Sequence, residues 1–175
     1  MTTQRQLKPS AYVKRFAETV AEAAQGFPIA DVGCGSGRNA IFVAELGCNV
    51  ICIDKNLSPL RNQELVSSIQ KRLTLLFLDV LKAPWPFTPG TLGGVILVDF
   101  LPWPLLPQLA DCLIPNGSLL LETVSGRGEN FRELPKAGQL EATFRPGFMI
   151  ENYREKYVKP RSSGAVTVKM LARRR

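Results

Sequence analysis

Ile29-Ala-Asp-Val-Gly-Cys-Gly-Ser-Gly-Arg-Asn39 is the stretch whose reading decides the fold. A short apolar run ends in Asp31, glycines follow at positions 33, 35 and 37, and a helix-forming segment starts at Arg38. Glycine accepts positive φ and lets a ligand approach without a Cβ in the way. A strand that turns this tightly into a helix is expected to leave unpaired N–H groups at the crevice beyond its carboxyl end. The stretch therefore reads as a binding loop for a nucleotide-like ligand.

Upstream of it, Ser10 is placed as an N-cap. Tyr12, Phe16 and Val20, with Val13, Ala17, Ala21 and Ala24, follow at helical spacing until Gly26-Phe27-Pro28 stops the run. Downstream, the pattern predicts a helix over Arg38–Leu46 with Gly47 at its C′ position, then an apolar strand Val50–Ile53 ending in Asp54-Lys55-Asn56. A mostly polar helix over Ser58–Gln70, with Pro59 in its first turn, precedes a strand Leu73–Leu78 that ends in Asp79-Val80. The proline-rich Lys82–Gly90 segment is connection. Strand Gly94–Val98 ends in Asp99, and Pro104 opens a helix carrying Leu105, Leu106, Leu109 and Leu113. Pro115-Asn-Gly117 turns into strand Ser118–Val124, with Glu122 near its end, and a polar loop spans Ser125–Glu133. A short helix Ala137–Phe144 leads to strands Phe148–Val158 and Ala165–Leu171. These are too closely joined to be parallel, so they form a hairpin.

The sum is a single α/β domain over residues 1–175, with an N-terminal helix (about 10–25), a core (about 28–125) and a C-terminal helix and hairpin (about 134–172). The architecture expected is a doubly wound, Rossmann-like, mostly parallel seven-stranded sheet with helices on both faces and an antiparallel edge strand.

The composition excludes several classes. The chain is 45% apolar and 21% charged, ordinary for a globular protein. The polar start has no apolar signal core and no apolar run reaches the ~20 residues of a membrane span, so a cytoplasmic location is expected. There is no histidine and the four cysteines show no paired spacing, so no metal site is expected; Cys52 and Cys112 read as reduced core thiols. The net charge of +7 belongs to one end. Lys156, Lys159, Arg161, Lys169, Arg173, Arg174 and Arg175 occur without an acidic neighbour after residue 155, which leaves 15 basic against 15 acidic residues elsewhere. That end reads as a solvated tail, with phosphate or an acidic partner as the alternative.

The ligand is narrowed by the acidic residues. Asp54, Asp79 and Asp99 each follow a strand, on the rim where an open α/β sheet binds its ligand. Asp54 stands 19 residues beyond Gly35, the distance suited to ribose hydroxyls. The dinucleotide pattern G-x-G-x-x-G fails, because the sixth position from Gly33 is Arg38. Asp31 directly before the loop suits a cationic group such as an amino-acid ammonium. A nucleoside with an amino-acid tail fits this set better than a dinucleotide, and S-adenosylmethionine answers that description.

Asp31-Val-Gly-Cys-Gly-Ser-Gly37, Ile51-Cys-Ile-Asp54 and Leu78-Asp79 resemble the cofactor motifs of class I S-adenosylmethionine-dependent methyltransferases. Gly35-Ser-Gly-Arg-Asn39, Gly47, Leu119-Leu-Leu-Glu-Thr123 and Leu134-Pro-Lys-Ala-Gly-Gln-Leu140 are similar to their tellurite-resistance-like branch. The likeness runs from about Ser10 to the final Lys169-Met-Leu-Ala-Arg173. It implies that Gly33, Cys34, Gly35, Gly37 and Asn39 hold the methionine moiety, with Cys34 contributing backbone only, and that Asp31 neighbours its ammonium. By the same likeness Asp54 takes the ribose diol, with Lys55 and Asn56 beside the adenine. Asp79 and Val80 meet the adenine, and Val98 and Asp99 lie at the sulfonium end. Relatives often carry histidines after strand four, where this chain has Asp99-Phe-Leu-Pro-Trp103.

Methyl transfer from a sulfonium is an in-line displacement in which alignment and exclusion of water carry much of the rate. No catalytic residue is assigned. Asp99 and Glu122 are the candidates for a base, and each also reads as a structural carboxylate: a turn or cap for Asp99, an orienting group for Glu122. The acceptor expected is a small molecule. Two alternatives stay open, an RNA methyltransferase using the basic C-terminal end and a protein that binds the cofactor without chemistry. Asp99-Phe-Leu-Pro-Trp103 does not fit the N/D-P-P-Y/F loop of amino-group methyltransferases.

Overall fold

The computed structural model describes residues 8–123, 134–159 and 164–175. Helix α1 (Ala11–Ala23) is followed by β1 (Ile29–Val32), α2 (Arg38–Glu45), β2 (Val50–Asp54), the short α3 (Ser58–Arg61) and α4 (Ser67–Gln70), and β3 (Leu73–Phe77). Then come β4 (Leu92–Val98), a 3₁₀ turn (Trp103–Leu105), α5 (Leu106–Asp111), β5 (Leu113–Glu122), α6 (Gln139–Phe144), β6 (Phe148–Tyr157) and β7 (Val166–Arg174). The seven strands form one sheet in the order β3-β2-β1-β4-β5-β7-β6. The first five are parallel, and β7 runs antiparallel between β5 and β6, one place in from the edge. The sheet is therefore the doubly wound one that the sequence predicts. Strand order reverses between β1 and β4, and the loop after β1 opens at that switch point.

The central strands are apolar throughout because both faces are covered. On one face Tyr12, Val13, Ala17 and Val20 of α1 and Ala40, Val43 and Ala44 of α2 pack on Ile29, Cys52, Ile96 and Leu120. On the other, Leu106 and Leu109 of α5 and Leu140 and Phe144 of α6 pack on Ala30, Val95, Leu119, Leu121 and Val168. Burying one such leucine contributes about 1.5–3 kcal/mol, so this two-sided packing, not helix propensity, holds elements as short as six residues in place.

Three local expectations are corrected. The helix expected over 58–70 is two single turns: Asn62 ends the first after Pro59-Leu-Arg61, and the extended Val66 (φ −64°, ψ 146°) separates it from the second. The strand expected at Ser118 starts at Leu113. Leu92 pairs with Leu113 and Gly94 with Ser118, so Pro115-Asn-Gly117 is looped out of a continuing strand, with Asn116 at φ 64°. The basic C-terminal end is no solvated tail: it is β7, with Val166, Val168, Met170 and Ala172 fully buried. Val124 and the Ser125–Glu133 loop lie outside the described residues.

Candidate functional site

The rim formed by the carboxyl ends of β1, β2, β3 and β4 gathers Asp31, the glycine turn, Asp54, Asp79 and Asp99. At β1, Asp31 is 1% exposed, and the Ala40 N–H in the first turn of α2 donates to its Oδ2 at 3.1 Å. Burial pushes its carboxyl up to about 7, opposed by the Ala40 N–H and the Arg38 guanidinium and assisted by the charge of Asp54. The buried acid therefore sits beneath the glycine turn with its carboxyl held near neutrality.

Gly33, Gly35 and Gly37 all take left-handed φ, 75°, 54° and 75°. At Gly37 a Cβ would lie 2.4 Å from Leu60 Cδ1, so α3 closes against the turn only because the side chain is missing. At Gly35 a Cβ would meet nothing within 4 Å, so that backbone faces open space. A Cβ at Gly33 would collide with the Phe100 ring, which places the loop after β4 directly against the glycine turn.

The N–H groups of this turn are not the free cluster its sequence suggests. Gly33 and Cys34 both donate to Ile53 O (2.8 and 3.1 Å), Gly37 donates to Cys34 O (2.8 Å), and Gly35 donates to Asp54 Oδ2 (2.8 Å). Phosphate cradles depend on such N–H groups pointing at the ligand. Here those four close the turn on itself and onto β2, although α2 begins without a side-chain cap, and the carboxylates of Asp31 and Asp54 flank the turn.

Asp54 couples β2 to the turn. Its Oδ1 accepts from Asn56 N–H (2.8 Å), and Asn56 Oδ1 accepts in turn from Ser58 N–H (3.1 Å). Each Asp54 oxygen keeps a lone pair beyond its backbone partner, and Lys55 beside it is exposed. At β3, Asp79 Oδ1 accepts from Leu81 N–H (3.2 Å) and Oδ2 lies 3.6 Å from Lys82 Nζ, while Val80 packs partly buried against the core. At β4, Val98 is buried and Asp99 follows at φ 61°, its N–H donating to Glu122 O (3.0 Å). The left-handed backbone turns the Asp99 carboxylate outward to Arg38 Nη2 at 3.0 Å, with both side chains well exposed. An exposed pair of this kind adds little stability; its geometry instead bridges the β4 loop to the start of α2.

Glu122 is placed differently. It is 6% exposed, Ser10 Oγ donates to its Oε2, and Lys169 Nζ lies 2.5 Å from Oε1. Ser10 also caps α1 by accepting from the Tyr12 and Val13 N–H groups, and its own N–H donates to Asn39 Oδ1 at 2.9 Å. Glu122 and Asn39 thus hold the start of α1 beside the rim, and both oxygens of Glu122 are engaged. Ser10 was expected only as a cap. Lys169, expected as part of a tail, completes the cluster because β7 pairs with β5 and sets Lys169 opposite Glu122. Cys34 is buried with its thiol hydrogen-bonded to that of Cys52, whose thiol is pushed up by that bond and by burial. Cys34 therefore offers the crevice backbone alone. Among the described residues no His/Cys/Asp/Glu group is arranged for a metal ion, and no helix is long and apolar enough to cross a membrane.

Three of the six described basic residues of the C-terminal end are engaged, while Lys156, Lys159 and Arg175 are exposed. Besides Lys169, Arg173 Nε lies 2.5 Å from Glu151 Oε1, and Arg174 donates to the carbonyls of Asp111 (2.6 Å) and Leu113. A surface depression of about 320 Å³ is lined by Glu141, Arg145, Tyr153 and Arg175 near the start of β6, at the opposite rim from the aspartates.

Residues 13–80 match the family model of tellurite resistance protein TehB, under half of the chain but including the glycine turn, Asp54 and Asp79. No curated protein sequence matches the chain. Among solved structures, the [4+2]-cyclase SpnF superposes with a TM-score of 0.68 at 16% identity, covering 91% of this chain and 80% of that one. Geranyl diphosphate methyltransferase in complex with SAM gives 0.67 at 14% identity, with 92% and 85% covered. The tRNA (m1A58) methyltransferase TrmI from Aquifex aeolicus gives 0.63 at 14%, with 100% and 73% covered. At these identities the likeness is one of fold. The chain thus has a Rossmann-like fold shared with class I methyltransferases, and its residues 13–80 are similar to the TehB family model.

Proposed function

We propose that this chain is an S-adenosylmethionine-dependent methyltransferase, a single domain acting on a small-molecule acceptor. The observation that carries the proposal is the rim itself: a glycine turn whose Gly33, Cys34, Gly35 and Gly37 N–H groups are paired within the protein, with Asp31 buried beneath it and Asp54 held at its mouth. This arrangement suits a ligand with a cation and a diol and disfavours a pyrophosphate. The TehB match and the methyltransferase bound to SAM support the same donor.

In this reading Gly33, Cys34, Gly35 and Gly37 shape the floor for the methionine moiety and Asp31 balances its ammonium. The Asn39 carbonyl is committed to Ser10, which leaves its amide to the ligand. Asp54 accepts from the ribose hydroxyls, Lys55 and Asn56 flank the adenine, and Asp79 and Val80 close on its far side. Val98 and Asp99 border the sulfonium end. When bound, the cofactor supplies an electrophilic methyl group; the chain's own work is to orient the acceptor and exclude water, with Phe100 and Trp103 on the loop beside Gly33. Neither Asp99 nor Glu122 is required as a base: Asp99 is engaged by Arg38, and both oxygens of Glu122 are engaged by Ser10 and Lys169.

The RNA-methyltransferase alternative has the fold of TrmI in its favour, but Lys169, Arg173 and Arg174 are turned to internal partners, which leaves it Lys156, Lys159 and Arg175 as exposed cations of that end. The cyclase shares the fold as well, so a function other than methyl transfer is the reading to test against. Calorimetric titration with S-adenosylhomocysteine, with NAD as control, decides the donor. One-to-one binding weakened more than about tenfold by Asp54→Asn supports the proposal; binding of NAD in its place overturns it.

A further inference from the structure

The two edges of the sheet are built differently. Outer strand β6 carries Glu151, Arg154, Glu155 and Lys156 along its length, the usual protection against pairing with another chain. Strand β3 has no charged residue, proline or glycine from Leu73 to Leu78. Its surroundings also leave it bare: the helix that would cover it is broken into α3 and α4, and a proline-rich connection follows it where a helix would close the opposite face. As a result Val66, Leu75, Phe77 and Leu81 are 67%, 38%, 67% and 59% exposed, half of the large exposed apolar residues among those described.

We infer that β3 is a homodimer interface, pairing antiparallel with β3 of a second copy about a two-fold axis through Leu75 and extending the sheet across both chains. Three observations specify that occupant. The backbone has the right phase. Arg72 O accepts from Val50 N–H and Leu78 N–H donates to Asp54 O, so even-numbered residues bond to β2 and Leu73, Leu75 and Phe77 turn their N–H and C=O groups outward. Centred on Leu75, the outward residues meet as hydrogen-bonded pairs, Leu73 with Phe77, Leu75 with Leu75 and Phe77 with Leu73. Their side chains share one face and meet across the axis, covering Leu75 and Phe77. The charges at the two ends are complementary: Lys71 and Arg72 lie just before the strand and Asp79 just after it, so an antiparallel second copy brings the basic entry of each strand to the acidic exit of the other. The strand is thus self-complementary in hydrogen bonding, apolar surface and charge about Leu75. The inference rests on no part of the proposed function, although it sets the interface beside Asp79 at the rim.

Sedimentation velocity over a concentration series tests it. The wild type sediments as a concentration-dependent dimer. Leu75→Lys and Leu75→Glu each place like charges on the axis and each sediment as a monomer with an unchanged circular dichroism spectrum, while an equimolar mixture of the two regains the dimer. Lys71→Glu, an exposed substitution that folding tolerates, raises the dissociation constant about tenfold. A wild type that stays monomeric at every concentration, a Leu75→Lys variant that still dimerises, or a mixture that fails to reassociate overturns the inference. Should the Leu75 variants not fold, an unchanged dissociation constant in Lys71→Glu overturns it equally.

Discussion

Asp31→Asn isolates the buried acid beneath the glycine turn. In the folded protein burial holds the Asp31 carboxyl up to about 7, against an ordinary 3.8. A group whose folded value is raised contributes its stability fully below the unfolded value and loses it as pH rises through the folded one, because the unfolded chain gives up its proton first. The wild type should therefore lose about 4 kcal/mol from this group between pH 4 and 7, at about 1.4 kcal/mol per tenfold change in proton activity, and nothing further above that range. Asparagine offers the same acceptor to the Ala40 N–H and has no proton to lose. Urea unfolding of both proteins from pH 4 to 8 reads the effect as a difference, so carboxylates common to both cancel. The gap should move in the variant's favour by a few kcal/mol, most steeply between pH 4 and 7. A gap that is constant with pH would refute the assignment of a near-neutral acid at this position. The same group links stability to the ligand. A cation bound beside Asp31 favours the carboxylate, so binding at pH 6 should release close to one proton, read as a dependence of calorimetric enthalpy on buffer, and Asp31→Asn should abolish the release.

Gly35→Ala and Gly37→Ala separate binding from folding. Alanine at Gly37 drives a Cβ into Leu60 and should cost about 2–4 kcal/mol, read as a drop of several degrees in the thermal midpoint. At Gly35 only the left-handed backbone is strained, about 1–2 kcal/mol, yet affinity for S-adenosylhomocysteine should fall more than about tenfold, because the new methyl enters the open crevice. Ser10→Ala removes both the α1 cap and a hydrogen bond to buried Glu122, and should lower the unfolding free energy by about 2–4 kcal/mol in a denaturant titration. Asp99→Asn and Glu122→Gln, assayed once an acceptor is in hand, should each keep kcat within about tenfold of the wild type if positioning dominates. Loss of turnover with cofactor affinity intact in both would show that a base is essential.

What was legible in the sequence follows from which forces act locally. Strand β1, helix α2 and strand β2 fall where the pattern places them. A buried parallel strand needs an unbroken apolar run, and Gly37 and Gly47 mark the helix ends with left-handed turns. The rim aspartates were legible because strand ends are. The fate of the turn's N–H groups was not, since pairing Gly33 and Cys34 with Ile53 depends on β1 and β2 being neighbours. Segment 58–70 shows the limit of periodicity: polar residues tolerate a helix without requiring one, and no packing face enforces it. The basic end misled for the opposite reason. Its alternating Val166, Val168, Met170 and Ala172 bury on one side, while Lys169 and Arg173 find Glu122 and Glu151, partners distant in sequence that only sheet order brings near. The sequence placed Asp99 on the rim but left its role open. Its φ of 61° and its bond to Arg38 belong to tertiary structure.

The most direct test of the central claim is a crystal structure of the chain grown with S-adenosylhomocysteine. The account predicts the ribose hydroxyls on the two oxygens of Asp54, the adenine between Asn56 and Asp79, and the amino group above Asp31 with the tail along Gly33–Gly37. A ligand bound anywhere else, or a glycine turn that rearranges to offer its N–H groups to an anion, would contradict it.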